Sequence, residues 1–363
     1  MTNFSLQFPI NSTSLGQVAT NLLVEFYNKK LEPNIFPIGP VDLQSFNGLL
    51  PPDFEPWLRN CCQKALTHYK TSEPCIRLWH INGSHEVVSK YNFLYFFHEV
   101  DQITATEKNI LNNFDKTFSP CKFTENVCKE YGVNNVGTIN LGYNSLAFKP
   151  VPVEKYEHGE TVITLAGKFE KRKHTPEMIK ILAENWGNKR NFKIHLHVFN
   201  PFYDQQNRDR CAAINQKLIQ DACGGEIPFN FVLMGHFPEL QDLNKCYNVT
   251  DIIVDGSGGE SWSLPAFHMA GLGKKCVVHN NSGIKEWANE DNSFLVNPNG
   301  KEPADDGMFF SSQAPFNAGN IYTFDEEDMK NAIETAIKSK NKENSLTSDF
   351  TYEIMANKLL GEL

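Results

Sequence analysis

The sequence predicts two α/β domains, each a doubly wound parallel sheet, facing a common central cleft. Three observations carry that prediction. The chain has 363 residues, more than one hydrophobic core of ordinary size accommodates. Its second half alternates short apolar, β-branched runs with helical patterns, the signature of parallel strands joined by crossover helices. Its first half repeats the alternation in weaker form, and the charged, proline-bearing stretch Lys149–Gly159 separates the two.

The first domain, residues 1–152, opens with an amphipathic helix at Gln17–Asn28 behind a glycine turn. Strands follow at Ile76–His80 and Tyr91–His98. A helix at Thr106–Asn113, capped by Thr104 or Thr106, precedes a strand at Phe114–Ser119. A helix at Thr124–Glu130 stops at Gly132, and Val136–Leu141 is the last strand. The second domain, residues 153–345, begins with the strand Thr161–Gly167, the basic turn Lys168–His174 and a helix from Pro176 to Trp186. Strands at Phe192–Phe199, Phe229–Met234, Asp251–Val254 and Cys276–His279 alternate with helices at Arg208–Ala222, Pro238–Tyr247, Ser261–Leu272 and Gly283–Asn289. The polar stretch Lys338–Ser348 reads as a connector. Residues 346–363 form a third unit, whose helical pattern resumes at Phe350–Leu363.

Composition narrows the function classes. Apolar residues make 40% and charged residues 21% of the chain, the ordinary globular range, and no apolar run is long enough to span a bilayer. Met1–Gly16 lacks the basic start and apolar run of a secretory signal. The nine cysteines include no C-x-x-C pair, which gives no zinc knuckle and suggests reduced thiols. The expected location is cytoplasmic, so the Asn-x-Ser/Thr triplets at Asn3, Asn11, Asn82 and Asn248 carry no meaning as glycan sites. A net charge of −9 gives no global attraction to nucleic acid.

Open parallel sheets bind ligands at the carboxyl ends of their strands. Three such ends in the second half suit a phosphate: Gly167-Lys168 with Lys173 beyond, Gly235-His236, and Gly256-Ser257-Gly258-Gly259. The last is expected to open directly onto a helix, whose free N–H groups and positive dipole end favour an anion.

These residues resemble a known family. Leu165–His174 (LAGKFEKRKH) is similar to the G-R-F-x-x-x-K-G element of glycosyltransferase family 4, retaining enzymes of the GT-B fold. Asp251–Lys275 resembles that family's D-x-x-x-x-P-S-x-x-E-G-F/W-G-x-P-x-x-E-A-M-A-x-G-x-P, and Phe231–Tyr247 the strand, glycine and helix between them. Asn140–Asn144 with Phe148 and Pro150 resembles the closing G-V-D-x-x-x-F-x-P of the first domain, and Asn11–Gln17 its first glycine loop.

The resemblance implies a nucleotide-sugar donor, UDP- or GDP-linked, held between the domains without cofactor or metal. Lys168, in place of the family's arginine, and Lys173 are expected to face the donor diphosphate. Glu260 matches the first carboxylate of the family's E-x7-E pair, on the transferred sugar. His268 falls where the ribose-binding carboxylate is expected, a departure. Gly167, Gly235, His236, Ser257 and Ser261 line the expected donor site, and Gly258 and Gly259 present backbone N–H groups to it. Gly16 lies beside the diphosphate, and His98 sits near the sugar, with His80 the competing choice. Replacing Glu260 by Ala is expected to abolish transfer and leave the fold.

The acceptor stays open among a glycan, a lipid-linked sugar, a small metabolite, a protein and a modified DNA base. The Asn-, Lys- and Phe-rich chain has the character of an AT-rich microbial or phage genome, and phages glycosylate hydroxymethylated cytosine. A basic first-domain surface at Lys90, Lys108, Lys116 and Lys122 would favour that acceptor. A phosphorylase or an epimerase on the same fold, and a degenerate, non-catalytic nucleotide-sugar-binding module, are the alternatives.

Overall fold

The computed structural model describes residues 3–363; Met1 and Thr2, the start of the stretch read for a targeting signal, lie outside the described residues. The first half supplies β1 (Ser5–Phe8), α1 (Ser14–Asn28), β2 (Asn34–Pro37), α2 (Phe54–Thr67), β3 (Cys75–Leu78) and β4 (Asn92–Tyr95). It continues with α3 (Ala105–Asn112), β5 (Lys116–Ser119), α4 (Lys122–Glu130) and β6 (Val136–Thr138). The six strands pair in parallel in the order β2-β1-β3-β4-β5-β6. Sequence reading misses β1, β2 and α2. Both strands are four residues long, and Pro9 and Pro37 beside or within them read as breakers. β4 stops at Tyr95, so His98 lies in the loop beyond it.

The second half supplies β7 (Thr161–Ala166), α5 (Thr175–Trp186), β8 (Phe192–His197), α6 (Arg208–Ala222), β9 (Phe231–Leu233) and α7 (Leu240–Val249). After it come β10 (Ile252–Asp255), α8 (Leu264–Gly271), β11 (Lys275–His279) and β12 (Phe294–Val296). These strands pair in parallel in the order β12-β11-β10-β7-β8-β9. The strand order reverses between β10 and β7, and the crevice outside the carboxyl ends at such a reversal is where open α/β sheets bind ligands. A short antiparallel pair, β13 (Gly300–Pro303) and β14 (Asn320–Thr323), precedes α9 (Glu326–Lys338), α10 (Leu346–Asp349) and α11 (Tyr352–Gly361). The segment expected to be a helix at Gly283–Asn289 is a short 3-10 turn, Ser282–Glu286.

The connection between the halves is fastened on both sides. Asn244 and Asn248, one turn apart on α7, hold the Lys149 backbone, and Asn248 also accepts the Val151 amide at 3.2 Å. Tyr143 donates its amide to the Phe350 carbonyl at 2.8 Å. From there α11 returns to the first domain, packing on α1 and buried through Tyr352, Met355, Ala356 and Leu359. One apolar cluster runs from β1 and α1 through Tyr143 and Phe148 to Trp262, Phe267 and α11; a second, around β7, β8 and α5, belongs to the second domain alone.

Gly142 is the tightest point of this junction: a Cβ there would lie 2.3 Å from the Tyr352 amide nitrogen. Overpacking of this kind costs about 1–3 kcal/mol. Gly142→Ala is therefore expected to lower the unfolding free energy by that amount, read as a lower urea midpoint at unchanged slope. An unchanged midpoint would show that α11 is not seated against this loop.

Candidate active site

The site begins where β7 ends. Gly167 adopts φ +138°, and a Cβ there would meet the Lys173 side chain at 2.8 Å. Glycine is needed to turn the chain and to let Lys173 fold back over the strand end. The turn that follows is held from outside: Asn200 Nδ2 and the Tyr203 hydroxyl donate to the Phe169 carbonyl at 3.1 and 2.7 Å. This fixes Lys168–His174, which sequence composition alone would place on a solvated face.

Five side chains then form a line of alternating charge. Lys168 Nζ is 2.6 Å from Glu170 Oε1, and Arg172 bridges Glu170 Oε2 at 3.1 Å and Glu260 Oε1 at 2.8 Å. Lys173 Nζ closes on Glu260 Oε1 at 2.5 Å. Glu170, Arg172 and Glu260 are buried, each under a tenth exposed. Burial alone would push the Glu260 carboxyl up, but Arg172 and Lys173 outweigh it and hold it at about 2. Glu170 likewise sits below its ordinary value, against the pull of burial, because Arg172, Lys168 and Lys173 surround it. Burial opposes the Arg172 charge, and Glu260 and Glu170 more than restore it. The group carries three cations and two carboxylates and keeps one positive charge in excess.

Glu260 is presented by a rigid loop. Asp255, the last residue of β10, accepts the Ser257 amide at 2.9 Å and the hydroxyls of Ser257 and Ser263. The Glu260 amide donates to Ser282 Oγ at 2.8 Å, and its carbonyl accepts the Gly283 amide at 2.8 Å.

Several expectations change here. The glycine turn does not open directly onto a helix, because Glu260–Ser263 intervene before α8 and Ser263 is left-handed at φ +62°. The Gly258 amide is taken by the Arg172 carbonyl at 2.8 Å, so it is not free for a phosphate; a Cβ at Gly258 would lie 2.4 Å from the Tyr322 carbonyl oxygen. Gly259 is pressed against the Glu99 carbonyl of the first domain. The Ser257 hydroxyl serves Asp255, and the Ser261 hydroxyl serves His98.

Lys168 reaches away from Lys173, with its ammonium 5.0 Å and 4.7 Å from the ring centres of Phe202 and Phe309. Gly235 and His236 stand exposed beyond β9. Gly16 lies in the first turn of α1, where a Cβ would be 2.2 Å from the Asn11 carbonyl oxygen.

Two of the histidines expected at the site, His98 and His268, are interior. His98 is fully buried, with Nε2 on the Gln102 carbonyl at 2.7 Å and Nδ1 unpartnered. His80 stands exposed instead, in the loop beyond β3. His268 stacks on Phe148 with ring centres 4.3 Å apart, and its Nε2 accepts the Asn144 amide at 3.4 Å. Burial drives its pKa down to about 3, so it is a neutral packing group under the interdomain connection.

Sequence reading missed Glu170 and Arg172, the middle of the charge line. The signal was present: Lys168, Glu170 and Arg172 alternate in sign at a spacing of two directly after a strand-ending glycine.

Two expected outcomes follow from this geometry. Glu260→Ala would take from Lys173 its carboxylate and from the buried Arg172 one of its two, so it is expected to cost stability as well as activity. Breaking a buried pair costs about 3–5 kcal/mol, and a denaturant melt should show a loss of that order. The second outcome concerns pH. Burial holds His268 at about 3 and His195, His197 and His279 at about 4, whereas the unfolded chain takes up these protons near 6.5. The unfolded state then binds more protons, so stability present above pH 6.5 is lost as pH falls towards 4. Glu260 adds a further loss between 4.5 and about 2. Melting temperature should fall steadily from pH 7 to pH 4; a flat profile would contradict the neutral, buried histidines.

No family model matches the chain, and a search of curated proteins finds no match. Solved structures do match it along its whole length. Sucrose-phosphate synthase from Thermosynechococcus elongatus superposes with a TM-score of 0.67 at 14% identity, over 100% of this chain and 98% of that one. The UDP-forming α,α-trehalose-phosphate synthase from Burkholderia vietnamiensis gives 0.65 at 9% identity, over 100% and 98%. HepE from Anabaena, solved with UDP and glucose, gives 0.59 at 12% identity, over 100% and 95%. The chain thus has the architecture of GT-B glycosyltransferases: two parallel, doubly wound α/β domains of six strands each.

Proposed function

We propose that the protein is a glycosyltransferase that takes a sugar from a nucleotide diphosphate donor, a UDP-sugar, and transfers it with retention of anomeric configuration. The observation that carries this reading is the charge line at the β7/β10 reversal, a row of ion pairs around the buried Arg172 that keeps one positive charge in excess at a strand-end crevice the first domain covers. The structural neighbours support the donor class, since one is described as UDP-forming and another was solved with UDP and glucose.

Each group then has a role. Lys173 is the mobile end of the line. On donor binding it exchanges Glu260 for a diphosphate oxygen, while Arg172 stays between its two carboxylates. Glu260, released from one cation, accepts a hydroxyl of the transferred sugar. As the bond from the anomeric carbon to the diphosphate oxygen breaks, charge builds on the departing UDP, and Lys173 stabilises it more than the intact donor. The acceptor oxygen bonds the anomeric carbon on the face the UDP leaves, and its proton passes to the departing phosphate oxygen. No side chain becomes covalently attached.

For the acceptor, a hydroxyl of a glycan or small molecule fits better than a modified DNA base. Two of the four lysines that would make a basic surface are neutralised, Lys116 by Glu362 and Lys122 by Glu125. No helix among the described residues is long and apolar enough to cross a membrane, and a cytoplasmic setting is part of the proposal. His268 favours a second reading, a module that binds nucleotide sugar without transfer, because a neutral, stacked imidazole offers ribose less than a carboxylate does.

Thermal melts with UDP, GDP and their sugars test the proposal. At about 100 times Kd a bound ligand stabilises by roughly 2.7 kcal/mol. A shift with UDP and UDP-sugars that disappears in Lys173→Ala, together with slow UDP release from the sugar nucleotide, is the expected result. A shift without any turnover would leave the binding module, and no shift with any nucleotide would refute both readings.

A further inference from the structure

In the loop that carries Glu260, Ser261 and Ser263 stand where the motif it resembles has glycines. Ser263 holds the loop to its own strand through Asp255. Ser261 reaches the other domain. Its Oγ accepts the His98 amide at 2.7 Å and donates to the His98 carbonyl at 2.8 Å, and that carbonyl also accepts the Thr124 hydroxyl at 3.1 Å. Both Ser261 and His98 are buried. The next peptide is as close, for a Cβ on Gly259 would lie 2.2 Å from the Glu99 carbonyl oxygen. First-domain backbone at His98 and Glu99 therefore rests directly on the backbone that presents Glu260.

We propose that Ser261 is a positioning residue: its hydroxyl docks the first-domain chain at His98 and Glu99 onto the Glu260 loop before any donor arrives, so the two walls of the site are preassembled. The contact itself stands on the geometry, and its consequence for donor binding rests on the function proposed above. A serine hydroxyl has one donor and two acceptor sites and can bridge the N–H and C=O of a single residue. Glycine or alanine can do neither and would leave the buried His98 amide without a partner. Further out, Asp101 accepts the Asn320 amide at 2.7 Å and pairs with Lys301 at 2.8 Å, and Glu107 accepts the Asn317 amide at 2.8 Å. These ties do not involve Ser261, so its loss is felt locally, at His98 and Glu99.

Hydrogen–deuterium exchange of the ligand-free full chain, followed at the His98 amide, reads the contact directly. Wild type is expected to be protected there without ligand and to gain little when UDP is added. Ser261→Gly and Ser261→Ala should exchange at His98 roughly 5- to 150-fold faster, the range set by stranding one buried donor. Both should also bind UDP more weakly in calorimetry by a comparable factor. A merely structural serine would lower the melting temperature of both variants and leave UDP affinity at the wild-type value, which overturns the proposal. Fast exchange at His98 in ligand-free wild type, with protection appearing only on addition of UDP, also overturns it. Protection in wild type that both variants lose, with no UDP binding by any of the three, supports the docking and counts against the donor reading instead.

Discussion

The site depends on one buried guanidinium. Arg172 lies between Glu170 and Glu260, and each partner extends the line by one lysine, so that neither carboxylate is left with an unpaired charge in a dry interior. Taking such ions out of water costs several kcal/mol apiece, and only this complete alternation offsets it. Because the line ends in lysines at both ends, the outer charges are positive and the one nearest Glu260 can change partner without emptying the core of its compensation. An anion that enters meets a cation already in place, and none has to be brought in.

The fold supplies what the line needs. Parallel pairing of β7 with β10 puts Gly167 and Asp255 at adjacent strand ends, and the reversal of strand order there opens the crevice. Gly167 makes room for Lys173, and Asp255 ties down the loop that carries Glu260. The first domain covers the result from above through His98 and Glu99, while α11 and the Tyr143–Phe148 connection fix the two sheets relative to one another from behind. His268 belongs to that rear attachment. Its position in the E-x7-E spacing points to ribose, but its ring is spent on Phe148 and the Asn144 amide.

Legibility in the sequence follows burial. The second sheet could be read because its central strands are continuous apolar, β-branched runs such as Ile252–Val254 and Cys276–Val278, buried on both faces. β1 and β2 escaped because short segments with prolines beside them give no such run, and β13 and β14 because Gly300–Pro303 is polar and Asn320–Thr323 offers only Ile321 and Tyr322 between polar ends. Lys173 was visible by its position after the strand-ending Gly167, and Glu260 through the family motif that its loop resembles. Arg172 and Glu170 were hidden by the general truth that alternating charges usually face water; only the tertiary fold buries them. The Ser261 contact joins residues 163 apart and crosses two domains, so no local pattern could announce it.

The competition between Glu260 and a donor for Lys173 is the central claim, and calorimetric titration of UDP into wild type and Glu260→Gln tests it most directly. With the carboxylate neutralised and its shape kept, Lys173 is released, so UDP should bind the variant more tightly than wild type. Turnover of a UDP-sugar should be lost at the same time. Weaker UDP binding in Glu260→Gln would contradict the account, because Glu260 would then be holding Lys173 in place for the nucleotide instead of competing with it.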